Sequence, residues 1–319
     1  MFPISRLCAA ALAAALPVLA PAQDAFPAKP IHMVVCCTGT PEAVARMLAS
    51  DMSDRTGQPV VVEARPGANG ILAASYAAKA EADGYTVFIG TNSTHAANQS
   101  LYRKLPYDYV SDFAPLTGIL QGNLMAAVNA RSKVRSIGEL TEMARREPGR
   151  INFGYGSSSV RAAAELYSQL AGIRLTGVPY KTNPQAATDL VGGRVDLMIA
   201  DTVTLMPLVE SGKLRALAVT GTKRLQAQPQ LPTMAEAGVP GYALTYWLGA
   251  WAPAGTPAPV VARLNQLLTA ALKSERVREF IAKAGGEPYP TTPQELMRFQ
   301  TAEKEKWARI VAGAGIEPE

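Results

Sequence analysis

Histidine and cysteine are scarce in this 319-residue chain, at two and three residues. Cys8 lies in an apolar N-terminal stretch, which leaves Cys36 and Cys37, and neighbours in sequence cannot staple distant parts of a fold. The pair fits either a vicinal disulfide or two buried thiols. Two thiols with His32 and His95 match no zinc-ligand spacing, so neither a metal nor a cofactor is expected. H-E-x-x-H, a P-loop and a complete G-x-G-x-x-G after a strand are also missing. Gly154-Tyr155-Gly156-Ser157 is only half of a dinucleotide fingerprint. No G-x-S-x-G is present, and His95 precedes every candidate serine of the second half. The one hydrolase arrangement left is Ser157 or Ser158 as nucleophile with His95 as base. Aromatic residues, 7% of the chain, do not interleave with basic runs, so nucleic acid is not an expected partner. The formal charge is a modest +5, and the densest basic group, Arg145, Arg146 and Arg150, is broken by Glu142 and Glu147. Such interspersed charge is a solvated surface whose weak positive field favours small anions. No period of about 20 to 50 residues recurs, which excludes a solenoid.

Long apolar runs are missing too, apart from the start. Met1 to Ala22 reads as an export signal: Arg6 in the leading segment, an apolar core from Leu7 to Ala20, and the small-residue site Ala20-Pro21-Ala22. About 14 apolar residues fall short of the roughly 20 needed to span a bilayer. The mature protein is therefore expected to be exported, with cleavage near Ala22.

What is present is a repeated junction. Ile151 to Phe153 reads as a short strand, Gly154 and Gly156 allow a tight turn, and Ser157 to Ser159 open a helix carrying Val160, Ala163, Ala164, Tyr167 and Leu170, stopped by Gly172. A strand entering a helix N-terminus through hydroxyl residues gathers free N–H groups at the positive end of the helix dipole, which suits an anion. The device recurs at V-V-C-C-T-G-T-P (34–41), F-I-G-T-N-S-T-H (88–95), V-P-Y-K-T-N-P (178–184) and L-M-I-A-D-T-V-T (197–204). Ligands of parallel α/β sheets sit beyond the carboxyl ends of the strands. The converging junctions therefore predict an α/β cleft lined by Thr38, Gly39, Thr40, Thr91, Asn92, Ser93, His95, Ser157, Ser158, Ser159, Tyr180, Lys181, Asp201, Thr202 and Trp247. Plainer roles compete: Ser157 to Ser159 and Asp201 as helix caps, Lys181 in solvent, Trp247 in the core.

Further along, Ala114 to Leu120 and Met125 to Val128 read as two strands. Ser136 with Glu139, Thr233 with Glu236 and Thr292 with Glu295 read as capping boxes that start helices. Asn183 caps a helix with Pro184 at its first position, and Tyr246 to Ala252 is a returning strand.

Several stretches together resemble a known family. They are E-A-R-P-G-A-N-G (63–70), A-D-G-Y-T-V-F-I-G-T (82–91), L-Y-R-K-L-P-Y-D (101–108), S-D-F-A-P (111–115), V-P-Y-K (178–181), G-K-L-R-A-L-A-V (212–219), L-P-T-M-A-E-A-G-V-P-G-Y (231–242) and A-P-A-G-T-P (252–257). In order and over nearly the whole mature chain, they resemble the Bug proteins, the solute-binding receptors of tripartite tricarboxylate transporters. The resemblance implies an α/β, two-lobed periplasmic binding protein fold (type II-like) with a central cleft and two crossover strands. It implies lobes of about 24–124 plus 249–319 and 125–248, and no enzyme activity. A monomer would bind a small organic anion, namely a di- or tricarboxylate, an acidic amino acid or an aromatic carboxylate. It would pass the ligand to membrane permease subunits or, alternatively, serve as a sensor subunit. One departure stands out. Where the family carries P-F-x-P-G-G-x-x-D, this chain has C-C-T-G-T-P-E, about two residues shorter, with Cys36 and Cys37 in place of a proline and an aromatic. The ligand carboxylate is accordingly expected at Ser157 to Ser159 and Tyr180.

Overall fold

The computed structural model describes residues 26–225, 228–313 and 317–318. The expected export signal lies outside the described residues. Among those described, no helix is long and apolar enough to cross a membrane.

The apolar run Ile31–Val35 forms strand β1, flanked on both sides by parallel strands, β2 (Val60–Ala64) and β3 (Thr86–Thr91). Ile31, Met33, Val34 and Val35 are all buried, as a strand covered on both faces requires. Helix α1 (Thr40–Thr56) connects β1 to β2, and α2 (Ile71–Ala78) connects β2 to β3. A π-helical turn, Ser93–Ala97, and the short α3 (Asn98–Leu101) follow β3.

The next strand decides the architecture. β4 runs unbroken over Phe113–Asn129, where two strands were expected. Gly118 and Gly122 interrupt its apolar pattern without ending it, because both are packed under aromatic rings. A Cβ at Gly122 would lie 2.7 Å from the Tyr246 ring, and one at Gly118 would meet the Tyr289 backbone at 2.4 Å. Up to Asn123, β4 pairs with β9 (Thr245–Pro253) and, on its other edge, with β10 (Gly286–Pro288), giving the order β10-β4-β9-β3-β1-β2. From Leu124 onward the same strand pairs with β7 (Met198–Asp201) and β8 (Leu214–Val219). Two α/β lobes thus share one strand.

In the second lobe β5 (Asn152–Tyr155) and β6 (Thr176–Pro179) form a parallel pair, joined to β7 through Phe153 and Leu197. Helices α4 (Ile137–Arg146), α5 (Ser158–Ala171), α6 (Asn183–Gly192) and α7 (Thr202–Glu210) alternate with these strands. α8 (Ala258–Lys273), α9 (Glu275–Lys283) and α10 (Pro293–Gly313) close the chain against the first lobe.

The predicted caps divide. Ser136 accepts from the Glu139 amide at 3.1 Å and starts α4, and Thr292 with Glu295 makes a reciprocal box at 2.8 and 3.2 Å before α10. Thr233 and Glu236 make an equally good box, at 2.8 and 3.1 Å, but on a turn that no helix follows. The local hydrogen bonds are satisfied there, while Gly238 and Pro240 stop any further winding. The cap of α6 is Thr182, not Asn183; Asn183 is already helical and its side chain is used elsewhere. Leu170, expected on the buried face of α5, is exposed.

Strand alternation then sorts the aromatics. Trp247 and Trp251 lie on one face of β9 under α10, donating to Glu303 Oε2 at 2.7 Å and Gln300 Oε1 at 3.2 Å. Tyr246 and Leu248 lie on the other face, toward the space between the lobes. Burying each tryptophan contributes on the order of 2–3 kcal/mol, so this face of β9 anchors the first lobe.

Candidate functional site

The carboxyl ends of β1, β3, β5, β6 and β7 converge on the seam between the lobes. An inner cavity of about 60 Å³ lies there, walled by Cys36, Cys37, Thr38, Thr40 and Pro41 after β1, and by Thr91, Asn92 and Ser93 after β3. Ser157 and Ser159 at the start of α5, Lys181 and Thr182 before α6 with Asn183 as its first residue, and Asp201 at the end of β7 complete the far wall. It opens past Pro66, Gly67, Asn69, Gly156, Lys181 and Thr182 into an outer groove of about 560 Å³ that also touches Tyr180 and Arg161. The walls are bonded to each other. Thr40 Oγ1 donates to Asp201 Oδ1 at 2.8 Å, Ser158 Oγ to Asn98 Oδ1 at 3.1 Å, and Ser93 Oγ to Ser159 Oγ at 3.5 Å.

Helices α1, α5, α6 and α7 begin at this cavity, and they differ in how their first N–H groups are used; α6 is capped by Thr182, which accepts from the Gln185 amide at 3.4 Å. At α7 Asp201 is the cap: its Oδ1 accepts from the Thr204 amide at 2.9 Å and from the hydroxyls of Thr204 and Thr40 at 2.8 Å each. That N-terminus already holds a carboxylate, the protein's own. At α5 the cap residue Ser157 is extended (φ −156°), and no side chain accepts from the helix amides. Its hydroxyl instead pairs with Ser159 Oγ at 3.2 Å and lies 3.5 Å from Asn183 Nδ2. At α1 the cap is Gly39, at φ 84°, again with no side-chain bond. The α5 turn is held in place by Asn183, whose Oδ1 accepts from the Gly156 amide at 2.9 Å. Gly156 has no room for a side chain, since a Cβ would sit 2.2 Å from the Thr182 carbonyl carbon.

Two buried groups add to the site. Asn92 Nδ2 and the Tyr246 hydroxyl have no hydrogen-bond partner, and both residues line the cavity. Asn92 is only 1% exposed. A buried unpaired donor costs about 1–3 kcal/mol, a cost that a ligand oxygen would remove.

Of the expected residues, the structure brings Thr38, Thr40, Thr91, Asn92, Ser93, Ser157, Ser159, Lys181 and Asp201 together on the inner cavity. Gly39 lies between Thr38 and Thr40, against Thr204. Ser158 is turned to Asn98 and borders only the outer groove. Tyr180 borders the same groove, but its hydroxyl donates to Asp189 at 2.9 Å and its amide to the Tyr155 carbonyl at 2.8 Å. It has no hydrogen left for a carboxylate.

Three expectations are corrected. His95 is fully buried in the π-helical turn, stacked on Trp251 at 3.7 Å with Nδ1 beside Thr94 Oγ1 at 3.0 Å. Burial drives its pKa down to about 3, and neither Ser157 nor Ser158 meets an imidazole, so the serine–histidine arrangement does not form. Thr202 is buried and donates to the Ala284 carbonyl. Trp247 faces α10, because the residue that turns to the cavity is its neighbour Tyr246. Alternation along β9 carried that signal. Asn69, Asn98 and Asn183 were missed because nothing local distinguishes an asparagine that bridges two segments from one in solvent.

Cys36 and Cys37 are free thiols with their sulfurs 3.0 Å apart. The Cys37 thiol is held well above the usual range, by the hydrogen bond with Cys36 and then by burial. Among the described residues, no group of three or more His, Cys, Asp or Glu side chains is arranged to hold a metal.

Comparison with known proteins agrees over nearly the full chain. A family model described as tripartite tricarboxylate transporter family receptor matches residues 44–316. Protein BugT of Bordetella pertussis is 33% identical over 297 residues, covering 92% of this chain and 91% of that one. The solved structure of R. palustris Rpa4515 with adipate is 38% identical, with a TM-score of 0.90 over 92% of this chain and 100% of that one. MatC from Rhodopseudomonas palustris with bound malate is 30% identical, with a TM-score of 0.84 over 90% of this chain and 100% of that one.

Proposed function

The chain belongs to the tripartite tricarboxylate transporter receptor family, and from that premise we propose that its interlobe cavity captures a small organic carboxylate with the anion at the start of α5. The family is one of periplasmic solute-binding receptors, not of enzymes. One observation carries the ligand assignment. The uncapped N-terminus of α5 opens into a cavity that also exposes the unpartnered amide of Asn92.

The α5 amides, the hydroxyls of Ser157 and Ser159 and Asn92 Nδ2 hold one carboxylate, with Thr38, Thr40, Thr91 and Ser93 supplying the opposite wall. Lys181 at the mouth adds positive charge. The adipate and malate of the solved relatives support a ligand of dicarboxylate size. Residues 24–124 with 249–319, and 125–248, move as the two lobes, with β4 and the start of β9 as the hinge. Closure excludes water and strengthens the bonds to the anion. A single chain, exported after cleavage near Ala22, hands the ligand to membrane permease subunits.

The test is thermal unfolding of the refolded, ligand-stripped protein against dicarboxylates, tricarboxylates, acidic amino acids and aromatic carboxylates. A true ligand at about 100 times its Kd adds roughly 2.7 kcal/mol, which raises Tm by a few degrees in a chain of this size. A flat response to the whole panel overturns the assignment.

A further inference from the structure

The thiol pair cross-links no distant parts of the fold. Cys36 and Cys37 line the ligand cavity with their sulfurs 3.0 Å apart, in a family whose members work outside the reducing cytoplasm. We propose that the pair is a redox modification site in the cavity wall, closed to a vicinal disulfide by an external small-molecule disulfide, and that closure displaces the Thr38–Thr40 wall. The modification stands on the thiol geometry alone; its effect on affinity rests on the cavity being the ligand site.

Exposure sets the order of events. Cys37 is partly exposed and Cys36 is 1% exposed. The Cys37 thiolate attacks the external disulfide, forming a mixed disulfide and releasing one thiol. Cys36 then gives up its proton and attacks the Cys37 sulfur, forming the Cys36–Cys37 bond and expelling the second thiol. Two protein thiols lose two electrons, and one external disulfide is reduced to two thiols. Adjacent Cα atoms are only about 3.8 Å apart, below the usual span of a disulfide, so the bridge is labile and reversible.

The effect on the cavity follows from which cysteine can move. Cys36 is fixed: it is buried, its amide bonds to the Ile89 carbonyl at 3.3 Å, and Gly70 packs so near that a Cβ there would lie 3.0 Å from the Cys36 Cβ. Cys37 must therefore do most of the moving and carry Thr38 to Thr40 with it. Thr40 supplies the bond to Asp201 that joins the two walls. Its loss weakens the closed state, lowering affinity about tenfold.

The experiment treats the purified protein with excess oxidised glutathione and follows intact mass, hydrogen exchange of the 38–45 segment, and affinity for adipate and malate. The expected result is a loss of about 2 Da, faster exchange in that segment, a roughly tenfold rise in Kd, and reversal of all three by dithiothreitol. Neither Cys36→Ser nor Cys37→Ser should lose the 2 Da; Cys37→Ser should keep its mass, whereas Cys36→Ser should stop at the glutathione mixed disulfide; if the buried Cys36 variant does not fold, the partly exposed Cys37→Ser variant decides. An unchanged mass, or a stable glutathione adduct without ring closure, overturns the site. A closed ring with unchanged exchange overturns the coupling to the wall. If no carboxylate binds even the reduced protein, the ligand assignment fails, while mass and exchange still judge the thiol pair.

Discussion

α5 and α7 belong to the same lobe, follow strands of the same layer and begin at the same cavity, yet they treat their N-termini in opposite ways. α7 is closed by Asp201, whose Oδ1 takes three hydrogen bonds at 2.8–2.9 Å. α5 is left open, its first serine hydroxyls turned to each other. The difference shows that a polar strand end is no site until its donors are counted. One of these helices has supplied its own anion and uses it to join the lobes; the other leaves room for an anion from solution.

The comparison can be broken most severely at Asp201. Asp201→Ala removes a helix cap and the bond from Thr40 together, and the expected loss is about 3 kcal/mol of unfolding free energy. Chemical denaturation would measure it. A loss below about 0.5 kcal/mol would mean that the carboxylate is not structural.

A pH series separates the packed side of the first lobe from the cavity. His95 is neutral in the fold, with its pKa lowered by burial to about 3 from an ordinary 6.5. Between those values the unfolded chain holds the extra proton. Stability from this group is complete above about pH 6.5 and is lost as pH falls toward 3, by up to about 1.4 kcal/mol per unit. Ligand affinity should stay level from about pH 6 to 8, because the α5 wall is built of amides and hydroxyls. Affinity that follows a histidine titration would return His95 to the site.

The smallest effects belong to single donors at the open helix. Ser159→Ala and Asn92→Ala should each weaken carboxylate binding by about 1 kcal/mol, near fivefold, by calorimetry. Asn92→Ala should also leave stability unchanged or raised, since it removes an unpaired buried group. If both variants bind as tightly as the parent, the anion is not at α5.

Much of the fold was legible in the chain. Buried β1, the Gly172 stop of α5 and the Ser136 and Thr292 caps depend on neighbours a few residues away, and spacing reveals them. The family motifs carried the two-lobed architecture. The loops around the cavity were legible as strand ends, though not the direction of each side chain. Thr202 and Trp247 sit one residue from positions that face the cavity, where a one-residue step on a strand or tight turn reverses the side chain, and the π-helical turn carries His95 inward two residues past Ser93.

By itself, then, the sequence determined the elements and the meeting of hydroxyl-rich strand ends, because those follow from periodicity and turn chemistry. Only the tertiary structure decided that α5 stays open and that the Asp201 cap of α7 also joins the lobes. That choice depends on Thr40 reaching Asp201 across 161 positions of chain and on Asn183 reaching back to Gly156. Contacts between distant segments cost chain entropy, repaid only by the whole packed arrangement, so no local stretch encodes them.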